Sequence, residues 1–134
     1  MPEGKGYGPQ FTASVGKTLN YLGQHAYAYS GIVSVDDNET TLLEFTSLKN
    51  GYLVGTYQPN YESLSGDDFK FLVYINDIVI SSVQISASRD YTPYEEIELI
   101  VPPLTTLKIT AQNETGDSAT DILALFTARM FGKL

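Results

Sequence analysis

The chain has 134 residues, 43% hydrophobic and 18% charged, with eight Lys and Arg against sixteen Asp and Glu, a net charge of -8 and no cysteine. This length and apolar content suit one folded domain that needs no disulfide and exclude a wholly disordered chain. The acid excess repels phosphate backbones and anionic lipid, so nucleic acid and membranes are not expected as partners. The missing cysteine removes thiolate chemistry and leaves His25 as the single histidine.

Residues 1–12 read as an extended arm, because Pro2, Gly4, Gly6, Gly8 and Pro9 resist regular structure. The early acid and the lack of an apolar core argue against a signal peptide, and no run approaches the roughly 18 apolar residues of a membrane span. The expected location is therefore a cytoplasm, or an assembly made there. Tyr7 and Phe11 are aromatics that a purely solvated tail has no use for, so the arm is expected to order on a neighbouring subunit or shell.

Residues 13–134 read as a single β-sandwich domain. The best helical candidate, residues 12–23, is weakened by Gly16 and Gly23. His25–Tyr29 leads through Ser30-Gly31 into Ile32–Val35, and Asp36-Asp37-Asn38 forms a polar turn. Thr40–Thr46 follows as a strand with Leu42 and Leu43 on opposite sides. Asn50-Gly51 is a turn, and Tyr52–Tyr57 is a strand stopped by Pro59. Residues 60–68 form a loop. Phe69–Ile75, with Phe69, Phe71, Val73 and Ile75 on one face, turns at Asn76-Asp77 into Ile78–Ile85 as the clearest hairpin. Residues 86–94 form another loop. Ile97, Leu99 and Val101 face inward from the next strand, which Pro102-Pro103 ends because proline cannot donate to a ladder. Leu107, Ile109 and Ala111 face inward from Thr105–Asn113, and a long strand runs from Thr120 to Phe131. Seven or eight short strands at this spacing predict an all-β antiparallel sandwich, best matched by an eight-stranded jelly roll.

No catalytic set is visible. A triad needs a histidine within reach of a serine and an acid, and no G-x-S-x-G surrounds any serine. His25 reads as structural or surface. Glu96 and Glu98 share one strand face, which is the solvated pattern of an amphipathic strand more than a glycosidase pair. Asp36-Asp37-Asn38-Glu39 and Gly66-Asp67-Asp68 offer oxygen donors but match no calcium-loop spacing, so turn formation is the favoured reading and no metal or cofactor is expected. Asn38-Glu39-Thr40 and Asn113-Glu114-Thr115 fit N-x-[ST] and read as chance matches. Gly4-Lys5-Gly6-Tyr7-Gly8 has no strand before it and is not a phosphate cradle.

Two features point toward binding. The final strand carries apolar groups on both faces, with Ile122, Ala124, Phe126, Ala128 and Met130 on one and Leu123, Leu125 and Phe131 on the other. Leu72, Tyr74, Val79 and Val83 likewise lie off the inward set of the hairpin. Such strands need a second cover, and a second subunit is the favoured source, with Leu72, Tyr74, Leu123, Leu125 and Phe131 as candidate interface residues. The second feature is ten tyrosines without tryptophan. Tyr52, Tyr57, Tyr61, Tyr91 and Tyr94 fall in or beside loops, and Arg89-Asp90-Tyr91 would serve a sugar-binding surface.

The Ile97–Val101 strand, the Pro102-Pro103 stop, the Leu107–Asn113 strand and the two-faced strand leading to Leu134, behind a Gly/Pro arm, resemble the decoration (cement) proteins and related structural proteins of tailed bacteriophages. The resemblance spans residues 24–134. It implies a non-enzymatic virion protein without cofactor, self-associated as a homotrimer and bound to the major capsid protein. The alternative from the residues is a carbohydrate- or receptor-binding β-sandwich module.

Overall fold

The computed structural model describes residues 19–61, 67–85, 96–117 and 119–132. Among these, every regular element is a strand: β1 Asn20–Leu22, β2 His25–Tyr29, β3 Val33–Val35, β4 Thr40–Thr46, β5 Tyr52–Tyr61, β6 Phe69–Ile75, β7 Ile78–Ile85, β8 Ile97–Val101, β9 Thr106–Asn113 and β10 Thr120–Phe131. They form two antiparallel sheets, ordered β1-β2-β10-β5-β8 with β3 on β10, and β4-β9-β6-β7.

With the three-residue strands β1 and β3 set aside, the eight remaining strands pair by nesting. The outermost, β2 and β10, pair with each other, as do β4 with β9, β5 with β8, and β6 with β7. A long hairpin rolled on itself gives this pattern, and the rolling is closed by β10 against β5 and β6 against β9. The expected jelly-roll sandwich is thus the fold, with ten strands in place of eight because two short strands flank β2.

The core lies between the inner sheet faces. Tyr57, Phe69, Phe71, Leu43, Leu53, Leu107, Ile109, Ile122 and Phe126 are fully buried. Around Phe126 the inner face of the larger sheet is lined with small residues, Ala26, Ala28, Ala124 and Ala128, all buried. They leave room for Phe45 from the facing sheet, whose ring lies 5.3 Å from that of Phe126 at a 41° tilt. Large side chains set against small ones is how two facing layers reach crystal-like density. Gly55, opposite Ala128 on β10 and Leu99 on β8, extends the small-residue surface. A Cβ there would stand 2.3 Å from the Thr127 carbonyl oxygen and 2.5 Å from Ala128 Cβ.

Five expectations change. Ser30 separates β2 from β3 where a continuous strand was expected. Its buried Oγ accepts from Ala124 N–H at 2.8 Å and donates to the Gly31 carbonyl at 2.7 Å, while Gly31 takes φ 70°. The hydroxyl stands in for a ladder partner as the chain turns past β10. Pro59 does not stop β5, which continues to Tyr61 with Pro59 opposite Ala124. Its pairing to β8 ends at Tyr57, so the strand becomes an edge there among the described residues, and edges tolerate proline. Leu42 and Leu43 are both buried, because the register of β4 on β9 shifts between Thr41 and Leu43. Tyr57 is a core residue, not a loop tyrosine. Among the described residues its hydroxyl has no hydrogen-bond partner, and burial pushes its pKa far above the usual tyrosine value. Val83 also points toward the core, sharing the register of Phe71.

Phe126→Ala should lower unfolding free energy by about 3–5 kcal/mol, the range for emptying a closed aromatic site. Gly55→Ala should be at least comparably harmful despite adding one carbon, since backbone, not a flexible side chain, blocks the new methyl. Denaturant titration of both variants checks these costs. A Gly55→Ala protein as stable as the parent would show that β5 and β10 can part without penalty.

Candidate functional site

The jelly roll has two ends, and they differ in chemistry. At one end the β4–β5 and β8–β9 connections join the two sheets, next to the β6–β7 turn, the start of β2 and the end of β10. At the other end the β3–β4 and β9–β10 connections meet Asp67 and Asp68. The first end is apolar and the second acidic.

The apolar end is built on short, well-bonded turns. Asn76 and Asp77 both take left-handed φ, 49° and 69°, which is the two-residue hairpin geometry that matches strand twist. Asn76 N–H donates to the Thr106 carbonyl at 2.9 Å, and Asn76 Oδ1 accepts from Thr106 N–H at 3.0 Å, fastening this turn to β9. Between β4 and β5, Gly51 lies against the end of β10. A Cβ on Gly51 would meet the Phe131 carbonyl oxygen at 2.5 Å, and one on Gly132 would meet Gly51 Cα at 2.9 Å. This close approach sets Tyr52 and Phe131 side by side, ring centroids 5.8 Å apart and nearly parallel at 21°. The end then carries Leu22, Leu48, Ile78 and Leu104 at 73%, 49%, 67% and 67% exposure, with exposed Val79, Ile80 and Ile100 close behind. Most of the exposed large apolar side chains among the described residues lie here; Tyr29, Ile32 and Leu125 lie elsewhere. Among the described residues, Lys49, Asp77 and Arg129 supply charge there, with His25 beside them.

The acidic end gathers Asp36, Asp37, Asp67, Asp68, Glu114, Asp117 and Asp121. Its carboxylates hold loops together. Asp36 Oδ1 accepts from Asn38 N–H at 2.9 Å, and Asp67 Oδ2 accepts from Asn113 Nδ2 at 2.8 Å. Asn113 Oδ1 in turn accepts from the N–H groups of Thr115 and Gly116, at 3.0 and 3.1 Å. The turn reading of both acidic runs is what this geometry supports. Asn113 is 2% exposed and committed to these bonds, so its N-x-[ST] match is not an open acceptor. Lys70, 3.1 Å from Glu114, is the one described Lys or Arg at this end.

The candidate interface residues divide between opposite outer faces and form no single patch. Leu123, Leu125 and Phe131 lie on the larger sheet, where Leu125 stands opposite Tyr29 and Gln58, and Phe131 opposite Tyr52. Leu72 and Tyr74 lie half-buried on the smaller sheet. There Tyr74 is already engaged. Its hydroxyl and that of Thr110 both donate to Glu39 Oε2, and Lys108 Nζ stands 4.6 Å over its ring. The cover sought for this face is therefore partly the chain's own Glu39 and Lys108. His25 is exposed opposite Arg129, and Glu96 and Glu98 are exposed, Glu96 preceding β8. Tyr7, Phe11, Arg89, Asp90, Tyr91 and Tyr94 lie outside the described residues, as does most of the 12–23 helical candidate; its described end forms β1. The clustering at the apolar end is the feature that linear reading missed, since Leu22, Leu48, Ile78 and Leu104 come from four separate connections or strand ends.

No family model matches the sequence, and no curated protein matches it. Solved structures do. A family 35 carbohydrate binding module from an environmental isolate is similar with a TM-score of 0.46 and 14% identity, covering 90% of each chain. A beta-glucosidase from Paenibacillus barengoltzii is similar over 86% of this chain and 11% of its own, with TM-score 0.42 and 14% identity. Dimeric latent PorU from Porphyromonas gingivalis is similar over 77% of this chain, with TM-score 0.36 and 18% identity, and this chain spans only 11% of it. These are likenesses of fold.

The two hydroxyls hold the Glu39 carboxyl below the usual glutamate range, chiefly through the Tyr74 bond and then through Thr110. A lowered folded pKa contributes stability above the unfolded value, about 4.3, and loses it as pH falls through the folded value. Glu39→Gln should be slightly less stable than the parent at pH 7, and the two should converge below about pH 4. Thermal melts across that range check the sign; a gap that widens on acidification would contradict it.

Proposed function

We propose that this chain is a non-enzymatic structural subunit that self-associates and seats on a larger protein shell, as a capsid decoration protein does. The observation that carries the reading is the segregation of exposed apolar side chains to one end and carboxylates to the other. Such a molecule has one end suited to burial against protein and one suited to water. The exposed set is mainly aliphatic, and leucine and isoleucine have no flat face for a sugar ring. They suit packing into a protein surface.

A second reading has its own observation. Tyr52 and Phe131, 41% and 42% exposed, make a stacked, nearly parallel aromatic pair whose exposed ring face is the kind of surface a pyranose packs on. Light scattering on the purified chain beside a glycan array separates the two. The structural reading expects concentration-dependent self-association and no sugar binding. A monomer that binds a glycan, and loses it in Phe131→Ala, would overturn it in favour of the carbohydrate module.

A further inference from the structure

Asn50 is the one asparagine of this chain that precedes a glycine; Asn20, Asn38, Asn60, Asn76 and Asn113 precede Tyr, Glu or Asp. An asparagine amide lies within reach of the next residue's backbone nitrogen, and a glycine there has no Cβ to block the approach. The structure sets Asn50 apart a second time. It is exposed in the β4–β5 turn, and among the described residues nothing bonds its side chain. Asn38, Asn76 and Asn113 are instead engaged. Asn38 Nδ2 donates to Asp36 Oδ1 at 3.3 Å, Asn76 Oδ1 accepts from Thr106 N–H at 3.0 Å, and Asn113 Nδ2 donates to Asp67 Oδ2 at 2.8 Å.

The turn around Asn50 is pinned at both ends. Buried Ser47 donates through Oγ to the Pro102 carbonyl at 2.6 Å and accepts there from Thr105 N–H at 3.0 Å. Its own N–H donates to the Thr105 carbonyl at 2.9 Å. Leu104, at a left-handed φ of 52°, donates its N–H to the Leu48 carbonyl at 3.2 Å. On the far side Tyr52 stands opposite Phe131 in the ladder of β5 on β10. Between these anchors there is no slack, since even a Cβ on buried Gly51 would meet the Phe131 carbonyl oxygen at 2.5 Å.

We propose that Asn50 is a site of self-modification, where the chain converts its own β4–β5 corner to isoaspartate and so loosens the seat of Tyr52 beside Phe131. The Gly51 nitrogen attacks Asn50 Cγ. The new N–Cγ bond closes a five-membered succinimide, the Cγ–Nδ2 bond breaks, and Nδ2 leaves as ammonia with the proton from Gly51 N–H. Water then opens the ring, and no oxidant or reductant takes part. Cleavage of the bond to Cγ gives aspartate, which adds only a charge beside exposed Lys49. Cleavage of the bond to the main-chain carbonyl carbon gives isoaspartate, whose main chain is longer by one C–C bond, about 1.5 Å. That product lengthens a turn held at Ser47 and Leu48 on one side and at Gly51 and Tyr52 on the other. The added carbon therefore displaces the start of β5 from the end of β10, where the packing leaves it no room.

The test ages the full-length chain at mildly alkaline pH, at a dilution where light scattering finds a monomer. Ammonia release, peptide mapping and labelling by an isoaspartyl methyltransferase read the reaction. Label should appear in the peptide that holds Asn50 and not in those that hold Asn38, Asn76 or Asn113, with ammonia matching the modified fraction. Asn50→Gln, whose longer side chain does not close the five-membered ring, should remove it. The isoaspartate fraction should melt about 3 °C or more below the unaged chain, the shift a small local defect makes in a domain of this length. It should also exchange the amides of Tyr52 and Phe131 faster. Asn50→Asp, with its main chain unchanged, should match the unaged chain in both. A folded chain that ages without label at Asn50 overturns the proposal, and label gained only in urea would show that the fold holds the amide away from the nitrogen. An isoaspartate fraction that melts and exchanges like the unaged chain overturns the loosening of the corner.

Discussion

The structure depends on β10 having a full partner on each side. Over Ile122–Phe131 it pairs with β5 on one edge, and on the other it pairs first with β3 and then with β2. Its backbone is therefore committed to ladders along both edges, except at Ala124, whose N–H bonds the Ser30 hydroxyl where β3 gives way to β2. Its inner face alternates small and large, Ala124, Phe126 and Ala128, and that alternation decides where the facing sheet can place Phe45. The glycine at position 55 and the serine at position 30 are local concessions to the same strand. One removes a Cβ that would strike it, and the other replaces a ladder bond where its neighbour turns away.

Nested pairing has a consequence for surface chemistry. Rolling a long hairpin brings the β4–β5 and β8–β9 connections to one end and the β3–β4 and β9–β10 connections to the other. The first pair of connections holds Leu48, Gly51, Pro102, Pro103 and Leu104, while the second holds Asp36, Asp37, Glu114 and Asp117. Residues separated by half the chain thus become one apolar end and one acidic end. The net charge of the whole says nothing of this division, and neither does the hydropathy of any single strand.

The strands were legible in the sequence because each buried face repeats every second residue. Phe69, Phe71 and Val73, then Leu107, Ile109 and Ala111, announce themselves, and β10 is bounded correctly from Thr120 to Phe131. What alternation does not reveal is a change of phase. The bulge beside Leu42 buries two consecutive leucines, and Pro59 fits β5 because the pairing to β8 ends at Tyr57 among the described residues. The same limit applied to the site. Leu72, Tyr74, Leu123, Leu125 and Phe131 are all off the inward set, as read, but alternation cannot say that two outer faces are involved or that Glu39 and Lys108 already partly cover one of them. Nor does it mark Leu104, whose distinction lies in a backbone angle. A Pro-Pro-Leu-Thr run suggests a turn; it does not suggest that leucine sits in the conformation of a glycine.

That choice of residue is not explained by closure of the turn. Ser47, Thr105 and the two prolines would close the β8–β9 connection around a glycine as well as around a leucine, since none of the turn's bonds uses the side chain at position 104. The leucine therefore adds conformational cost to a loop that is otherwise complete, and natural sequences retain such cost where function, more than stability, sets the residue. The opposite holds at Asn76-Asp77, where the side-chain amide bonds Thr106 and the residue types suit the turn, so that every local preference agrees with the fold. Within one end of the sandwich, local preferences agree with closure in one turn and oppose it at one residue of its neighbour. An apolar end built only from unstrained loops would be explained by chance exposure. Leucine held against its backbone preference on a bonded mount is a cost that closure of the loop does not explain.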